Sequence, residues 1–212
     1  MSLASRLSLA LLISLSSACS ILPKAENADV YRLPAAAVTP SGAAPVSWSL
    51  RVNKPITSDA LNVPRIAVVP QGNVLSSYKG ARWTDPAPAL LRNRLLDAFQ
   101  RDGRVPRLSA DDSNLQSDFE LVGELQAFQS EYTAAGIDVV VRLDARLVDG
   151  RSQRMIASRI FEVRQPQPDK SVPAVVAGLG QATDRLSAQL LDWTLKQGEQ
   201  YPRASGNQAK NQ

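Results

Sequence analysis

The sequence predicts one two-layer α+β domain, in which a mostly antiparallel sheet packs against two main helices. Three consecutive segments between residues 118 and 165 alternate apolar and polar residues, as the strands of a half-buried antiparallel meander do. Two other segments repeat apolar residues every three or four positions, as amphipathic helices do. Each layer therefore has one apolar face, and burying these faces together produces a single core.

Four short strands are predicted outside the meander. Each is a brief alternating or β-branched run bounded by proline, glycine or polar residues. The run PRIAVVP lies between two prolines, which lack the N–H that an inner strand donates, so we expect it near a sheet edge. The four segments are SWSLRV (residues 47–52), PRIAVVP (64–70), part of GNVLSSYKGARWTD (72–85) and RVPRLS (104–109).

The two helices have clear limits in the sequence. The first is predicted from Ala87 to about Asp102, and Gly103 ends it. The second follows the proline-rich segment QPQPDKSVP and runs to about residue 199. The predicted apolar stripes are Leu91, Leu95, Ala98 and Phe99 in the first helix, and Val175, Leu179, Ala182, Leu186, Leu190 and Trp193 in the second.

Residues 1–18 are typical of a secretory signal peptide. Arg6 supplies the positive start, LSLALLISL the apolar segment, and SSA the small residues of a cleavage zone. Nine residues rise only ~14 Å as a helix, about half of the hydrocarbon core, so this segment is too short for a spanning anchor.

Cys19, the only cysteine of the chain, directly follows this cleavage zone. The position resembles a bacterial lipobox, in which the cysteine is acylated with chains such as palmitate and becomes the new N-terminus. Ser16 stands where a lipobox usually has leucine. The alternative is a buried, unmodified thiol in a secreted protein. Two or more acyl chains attach a protein stably, at ~0.8 kcal/mol per buried methylene. Ser20, in place of Asp, resembles a sorting signal for the outer membrane facing the periplasm.

Composition divides the chain into four parts. The segment after Cys19 is rich in Ala, Pro, Ser and Gly, which favours a flexible linker, and the last dozen residues are polar. We therefore expect a signal peptide at 1–18, a lipidated N-terminus and linker at 19–45, one folded domain at 46–200 and a disordered tail at 201–212.

The composition excludes several classes of chemistry. The chain has no histidine, which removes Ser-His-Asp and Cys-His catalysis and most catalytic zinc sites. One cysteine excludes an intramolecular disulfide. The net charge of +4 comes without a long Lys/Arg run, so a nucleic-acid partner is not predicted. We predict no enzyme activity, no catalytic residue, no cofactor and no metal site.

Three patterns suggest chemistry, and in each a structural interpretation is favoured. GLGQAT (residues 178–183) lacks the third glycine of a dinucleotide loop and lies within a helix, where small residues permit close packing. Asp111 and Asp112 lack the spacing of a calcium loop, so a solvated turn is expected. Glu120 and Glu124 could pair for acid–base work, but an exposed strand face explains them more simply.

The segment YKGARWTDPAPALL contains the candidate site for a protein partner. Arg82 and Trp83 are residue types enriched in binding hot spots, so they are candidate partner-binding residues. The alternative is that Trp83 fills the core where a strand meets the first helix.

Laid out in order, these features resemble the ABC-type transport auxiliary lipoproteins, the PqiC-like family. The resemblance covers essentially the whole chain after Cys19, and its most specific part is YKGARWTDPAPALL. It rests on Cys19, YRLP (residues 31–34), RIAVVPQGNVLSSYKGARWTDPAPALLRNRLLDAF (65–99), FELVGELQAF (119–128), RLVDGRSQRMIASRIFE (146–162) and the helix that carries Trp193.

The resemblance implies a non-enzymatic lipoprotein of an intermembrane lipid transport system. Its partners would be an MCE-domain protein with its permease and ATPase, and the membrane through acylated Cys19. A homo-oligomer is compatible with this role, but the sequence supplies no stoichiometry. A second hypothesis is an outer-membrane assembly or pilot lipoprotein that chaperones a partner without a transport role.

Overall fold

The computed structural model of the chain describes residues 28–37, 40–113 and 115–202. Two helices and nine strands lie within these ranges, and a short 3₁₀ turn (Asp111–Ser113) follows the sixth strand. The helices are α1 (Ala87–Asp102) and α2 (Val172–Gln200). The strands are β1 (Asp29–Tyr31), β2 (Ser49–Val52), β3 (Ile56–Thr57), β4 (Arg65–Gln71), β5 (Val74–Trp83), β6 (Arg107–Ala110), β7 (Phe119–Thr133), β8 (Gly136–Asp149) and β9 (Met155–Gln167).

Strand β7 organises the sheet. On one edge it pairs with β8 along its whole length, and β8 pairs with β9, so the predicted antiparallel meander is confirmed. On the other edge β7 pairs in succession with the short strands β2, β3 and β4, all in parallel. Strand β6 extends this side beyond β2, and β5 and β1 extend it beyond β4. The long ladders are thus antiparallel and the short ones, except β4–β5, are parallel.

A bulge in β7 changes the shape of the sheet. Leu125 pairs with Leu143 and Ala127 with Arg142, which leaves Gln126 as an extra, exposed residue. A bulge of this kind bends the strand and increases its twist. Beyond it the sheet curls, and residues 139–141 of β8 are buried on both faces with 0% exposure.

Helix α1 has the predicted limits and buried face. Gly103 adopts the left-handed conformation (φ 82°) and donates its N–H to the carbonyl of Phe99, which closes the last turn. All four residues of the predicted stripe are buried.

Helix α2 covers the sheet. Ser171 caps its first turn by accepting the N–H of Ala174, and the six residues of the predicted stripe are buried. The helix packs on β8 and β9 and against α1. The two-layer α+β fold class is therefore confirmed. Neither α1 nor α2 carries an apolar stretch that could span a membrane.

The three tryptophans of the chain are all buried, each edge-to-face with a phenylalanine from another element. Such pairs add about 0.5–1.5 kcal/mol beyond the area they bury. The ring centroids are 5.1 Å apart for Trp48–Phe119, 5.9 Å for Trp83–Phe128 and 5.7 Å for Phe161–Trp193.

The structure corrects two expectations. The predicted linker at 19–45 contains β1, and the residues that follow β1 bind to the helices, so the folded unit begins well before residue 46. Strand β4 is not near an edge, because it pairs with β5 on one side and β7 on the other. Pro64 lies outside β4, and Pro70 lies at an irregularity of the ladder, so neither proline interrupts the central pairs.

Substituting Gly198 should test the close contact between α2 and the core. A Cβ there would lie 2.7 Å from the ring of Trp48 and 3.3 Å from that of Phe119, and both rings are rigidly packed. We expect Gly198→Ala to lower the free energy of unfolding by roughly 1–3 kcal/mol, measured by urea denaturation.

Gly178→Ala in the same helix is the matched control. Its Cβ would meet only the end of the flexible Gln167 side chain, and replacing a helical glycine by alanine is worth about 1 kcal/mol. We expect stability to stay constant or rise. An equal loss in both variants would contradict the close-packing explanation.

Candidate functional site

Of the predicted site residues, Cys19 lies outside the described part of the chain. The description begins at Ala28, nine positions later. The structure does show where the first described residues join the domain. They lie beside the end of β5, which carries the other two predicted residues, Arg82 and Trp83.

The N-terminal segment is attached to the edge of the sheet. Strand β1 pairs in parallel with the end of β5, in the register Asp29 to Ala81 and Tyr31 to Trp83. One more hydrogen bond follows the end of β5, since the N–H of Thr84 donates to the carbonyl of Tyr31 at 2.9 Å. We call the residues that follow, 32–37, the strap.

A buried arginine fastens the strap to both helices. Arg94 of α1 is only 6% exposed, and its Nε donates to Oδ1 of Asp184 in α2 at 2.6 Å. Its Nη1 donates to Asp97 at 2.8 Å and its Nη2 to the carbonyl of Ala36 at 3.3 Å. The N–H of Ala36 in turn donates to Oδ2 of Asp184 at 2.8 Å. Both backbone groups of one strap residue are thus held by this ion pair.

The predicted apolar stripe of α1 does not include Arg94, yet this residue is buried beside it. Arg94 lies three residues after Leu91 and four before Ala98, which is the spacing of the buried stripe. A charged residue at a position of the apolar stripe is the sequence signal that indicates a buried arginine. Its partner Asp184 is 90 residues away in sequence, so no local pattern could identify it.

Of the two glycines of GLGQAT, Gly180 permits close packing. A Cβ at Gly180 would lie 2.8 Å from the carbonyl oxygen of Pro34, so only glycine lets the strap approach α2 this closely. Gly178 instead lies against the end of the flexible Gln167 side chain, which can move. A cleft of about 320 Å³ remains between the strap and the helices, with Arg94, Asp184 and Leu191 among its walls.

Trp83 lies in the core. It is 0% exposed, packs against Phe128, and its indole nitrogen has no hydrogen-bond partner among the described residues. A partner could not reach this side chain without opening the domain, so the structure agrees with the core alternative.

Arg82 is exposed and lies on the opposite face of β5 from Trp83. It pairs with Val30 of β1 on one side and with Arg65 of β4 on the other. Both neighbours are exposed as well, and Val30 is 49% exposed. Of the two predicted contact residues, Arg82 is the one that another molecule can touch.

Glu120 is buried rather than exposed, contrary to the simpler sequence explanation. It is 8% exposed and accepts hydrogen bonds from Arg51, Asn53 and Gln153. Burial alone raises the pKa of the Glu120 carboxyl, but these hydrogen bonds outweigh it and hold the pKa below its ordinary value. These hydrogen bonds connect Glu120 of β7 to β2 and to the β8–β9 turn, which is a structural role.

The two aspartates considered from the sequence as a cation site have a structural partner. Asp111 and Asp112 both accept from Arg92 of α1. Within residues 28–37, 40–113 and 115–202, no three His, Cys, Asp or Glu side chains lie together as metal ligands would. The end of β5 therefore provides an attachment point for the N-terminal segment, beside the exposed residues Arg82 and Arg65.

Removing the charge of Asp184 should release the strap. Asp184→Asn leaves Arg94 buried with a weakened partner, and breaking a buried ion pair costs about 3–5 kcal/mol. Because the Asp184 side chain is 19% exposed, we expect a loss of roughly 2–3 kcal/mol of unfolding free energy. Faster hydrogen exchange at residues 33–37 is the local measurement.

Asp97→Asn is the control for that change. Asp97 also pairs with Arg94, but its side chain is 34% exposed, so we expect a loss below about 1 kcal/mol and an unchanged strap. Equal effects of the two variants would contradict the special role of Asp184.

Acid should weaken the Glu120 cluster. Because the folded pKa lies below the unfolded one, the carboxylate stabilises the fold above about pH 4.3, and this contribution disappears as pH falls through the folded pKa. The free energy of unfolding of the wild-type protein, measured by urea denaturation, should exceed that of Glu120→Gln by roughly 1–3 kcal/mol at pH 7. This difference should narrow as the pH falls below about 4.3. A difference in unfolding free energy that widens on acidification would contradict this role of the Glu120 carboxylate. Glu162→Gln, at an exposed ion pair, should differ less from the wild-type protein in its free energy of unfolding.

Comparisons with known proteins agree with this architecture. A crystal structure of protein XCC0632 from Xanthomonas campestris is 33% identical, with a TM-score of 0.76, over 82% of this chain and 98% of that one. A second crystal structure, of an uncharacterised protein, has a TM-score of 0.61 at 19% identity and shares the fold. An uncharacterised protein of Bradyrhizobium diazoefficiens is 28% identical over 151 residues, which are 71% of this chain and 40% of that relative.

The model of one family covers most of the folded unit. It matches residues 31–190 and describes an ABC-type transport auxiliary lipoprotein component. The match begins at Tyr31, at the end of β1, and therefore includes the strap. The resemblance inferred from the sequence is confirmed: the chain belongs to the family of ABC-type transport auxiliary lipoprotein components.

Proposed function

We propose that this protein is a non-enzymatic lipoprotein that docks the periplasmic MCE-domain protein of an ABC-type lipid transport system at the outer membrane. The observation that carries the proposal is the family match over residues 31–190. The partners would be the MCE protein with its permease and ATPase, and the membrane through acylated Cys19. Family membership supports a transport role, and the docking role is our extension of it.

The attachment of the strap supports a tethered role. Cleavage after Ala18 would leave acylated Cys19 as the N-terminus, ten residues before β1. The strap is held by the buried Arg94–Asp184 pair and by contact with Gly180. Force on a lipid anchor would therefore reach the sheet through β1 and the two helices through the strap. This arrangement suits a domain held at a defined distance from a membrane.

Contacts with other molecules are expected through exposed residues. Arg82 qualifies, and Trp83, being in the core, does not. The absence of histidine from the sequence, together with the engagement of Glu120 by Arg51, Asn53 and Gln153, supports a binding role over catalysis.

An outer-membrane assembly or pilot lipoprotein is the second candidate. It would share the anchor, the strap and the fold, and differ only in the partner. Genes for a permease, an ATPase and an MCE protein beside this gene would favour transport, and their absence would favour the pilot role.

Mass spectrometry of the mature N-terminus tests the anchor. We expect cleavage before Cys19 and acyl chains on this residue, and Cys19→Ser should leave the protein unacylated. Ser20→Asp is the matched control, because it should keep the acyl chains and move the protein to the inner membrane. An unmodified Cys19 in the wild-type protein would overturn the proposed location.

Co-purification tests the partner. The acylated protein, extracted in mild detergent, should retain the MCE protein encoded beside it, while an unrelated outer-membrane lipoprotein should not. Failure of the wild-type protein to retain it would count against docking.

A further inference from the structure

Three exposed side chains form a row across the sheet edge beside the strap. Val30 of β1 pairs with Arg82 of β5, and Arg82 pairs with Arg65 of β4. Residues opposite one another on neighbouring strands project from the same face, with Cβ atoms about 4.5–5.5 Å apart. This face is the outer one, because Ala81 and Trp83 on either side of Arg82 are buried. We call Val30, Arg82 and Arg65 the basic row.

The two arginines of the row repel each other without a compensating carboxylate. Like charges directly opposite in a sheet are destabilising, and neither Arg65 nor Arg82 has an ion pair within the described ranges. The exposed Arg32, which directly follows β1, has none there either. Several other arginines of the sheet have a carboxylate partner: Arg146 lies 2.7 Å from Asp144, and Arg164 lies 2.7 Å from Glu131.

The row lies close to the start of the folded chain. Asp29 follows Cys19 by ten residues, which span at most about 34 Å when extended and about 17 Å as a flexible coil. If Cys19 carries the lipid, as proposed above, the face around β1 is held near the headgroups at a high effective concentration. Even weak electrostatic attraction then orients the domain.

We propose that the basic row is a membrane-facing surface that binds the phosphate groups of anionic lipids. Arg65 and Arg82 supply guanidinium groups that can each bind phosphate in a bidentate manner. Val30, 49% exposed beside them, adds the apolar contact that interfacial surfaces combine with basic residues. Binding would turn the strap and the row toward the membrane and leave the opposite side of the domain available for a protein partner.

An acidic segment of a protein is the competing occupant of the row. The short chain between Cys19 and β1 favours the lipid, because it keeps the membrane close to the row, whereas no contact among the described residues places an acidic segment there.

Vesicle binding by the unacylated protein tests the proposal independently of Cys19 acylation. The chain from residue 19 onward with Cys19→Ser is floated with vesicles of phosphatidylcholine, with or without phosphatidylglycerol. We expect binding that needs phosphatidylglycerol and weakens with salt. Each arginine near an anionic surface should contribute about five-fold, so Arg65→Gln with Arg82→Gln should reduce partitioning by roughly 25-fold.

Arg151→Gln with Arg154→Gln is the matched control, since both residues are exposed in the β8–β9 turn and the charge change is the same. This control variant should bind the phosphatidylglycerol vesicles within about two-fold of the wild-type level. Thermal unfolding should show no loss of stability in the Arg65/Arg82 variant, because a repulsion is removed. The proposal is overturned by binding that ignores phosphatidylglycerol or by equal losses in both double variants. It is also overturned if the row variant keeps lipid binding but no longer co-purifies with the protein partner.

Discussion

The hydrogen bonding of β7 along both edges is the constraint on which the rest of the structure depends. On one edge the long antiparallel ladder with β8 creates an apolar surface wide enough for α2. On the other edge three short parallel strands are held in place by β7 alone or by β7 and one more neighbour. Short strands of two to seven residues would not persist in isolation. Their positions therefore follow from β7, and so does the position of β5, which carries Arg82 and Trp83.

The strap connects this sheet to the helices and to the N-terminus. A buried arginine costs free energy to desolvate, and that cost is offset only when its hydrogen-bond donors are satisfied. Arg94 finds two carboxylates and one backbone carbonyl, and the carbonyl belongs to the strap. The ion pair between α1 and α2 is thus completed by the segment that leads toward Cys19. For a protein held by its N-terminus, a firm joint at this point transmits the position of the anchor to the whole domain.

Prediction from the sequence was accurate where one element determines its own structure. The limits of α1 followed from a turn at Pro86 and a left-handed Gly103, and both are local features. The meander followed from alternation within each strand. The prediction of a flexible linker at 19–45 was wrong for the part that contains β1. Composition indicates only how much apolar surface a segment can bury by itself. Residues 28–37 are poor in large apolar side chains, yet they gain a strand partner and hydrogen bonds to an ion pair from residues 52 to 148 positions away.

The sequence by itself determined the fold class, the family and the two helical faces, because periodicity, composition and the order of motifs along the chain encode these properties. Only the tertiary structure decided between the two interpretations of Trp83, since an aromatic residue at a strand end suits a core and a binding site equally well. The structure also revealed the burial of Arg94 and Glu120 and the register that sets Arg65 opposite Arg82. Those features depend on contacts between residues far apart in sequence, and their energies depend on burial that no local pattern records.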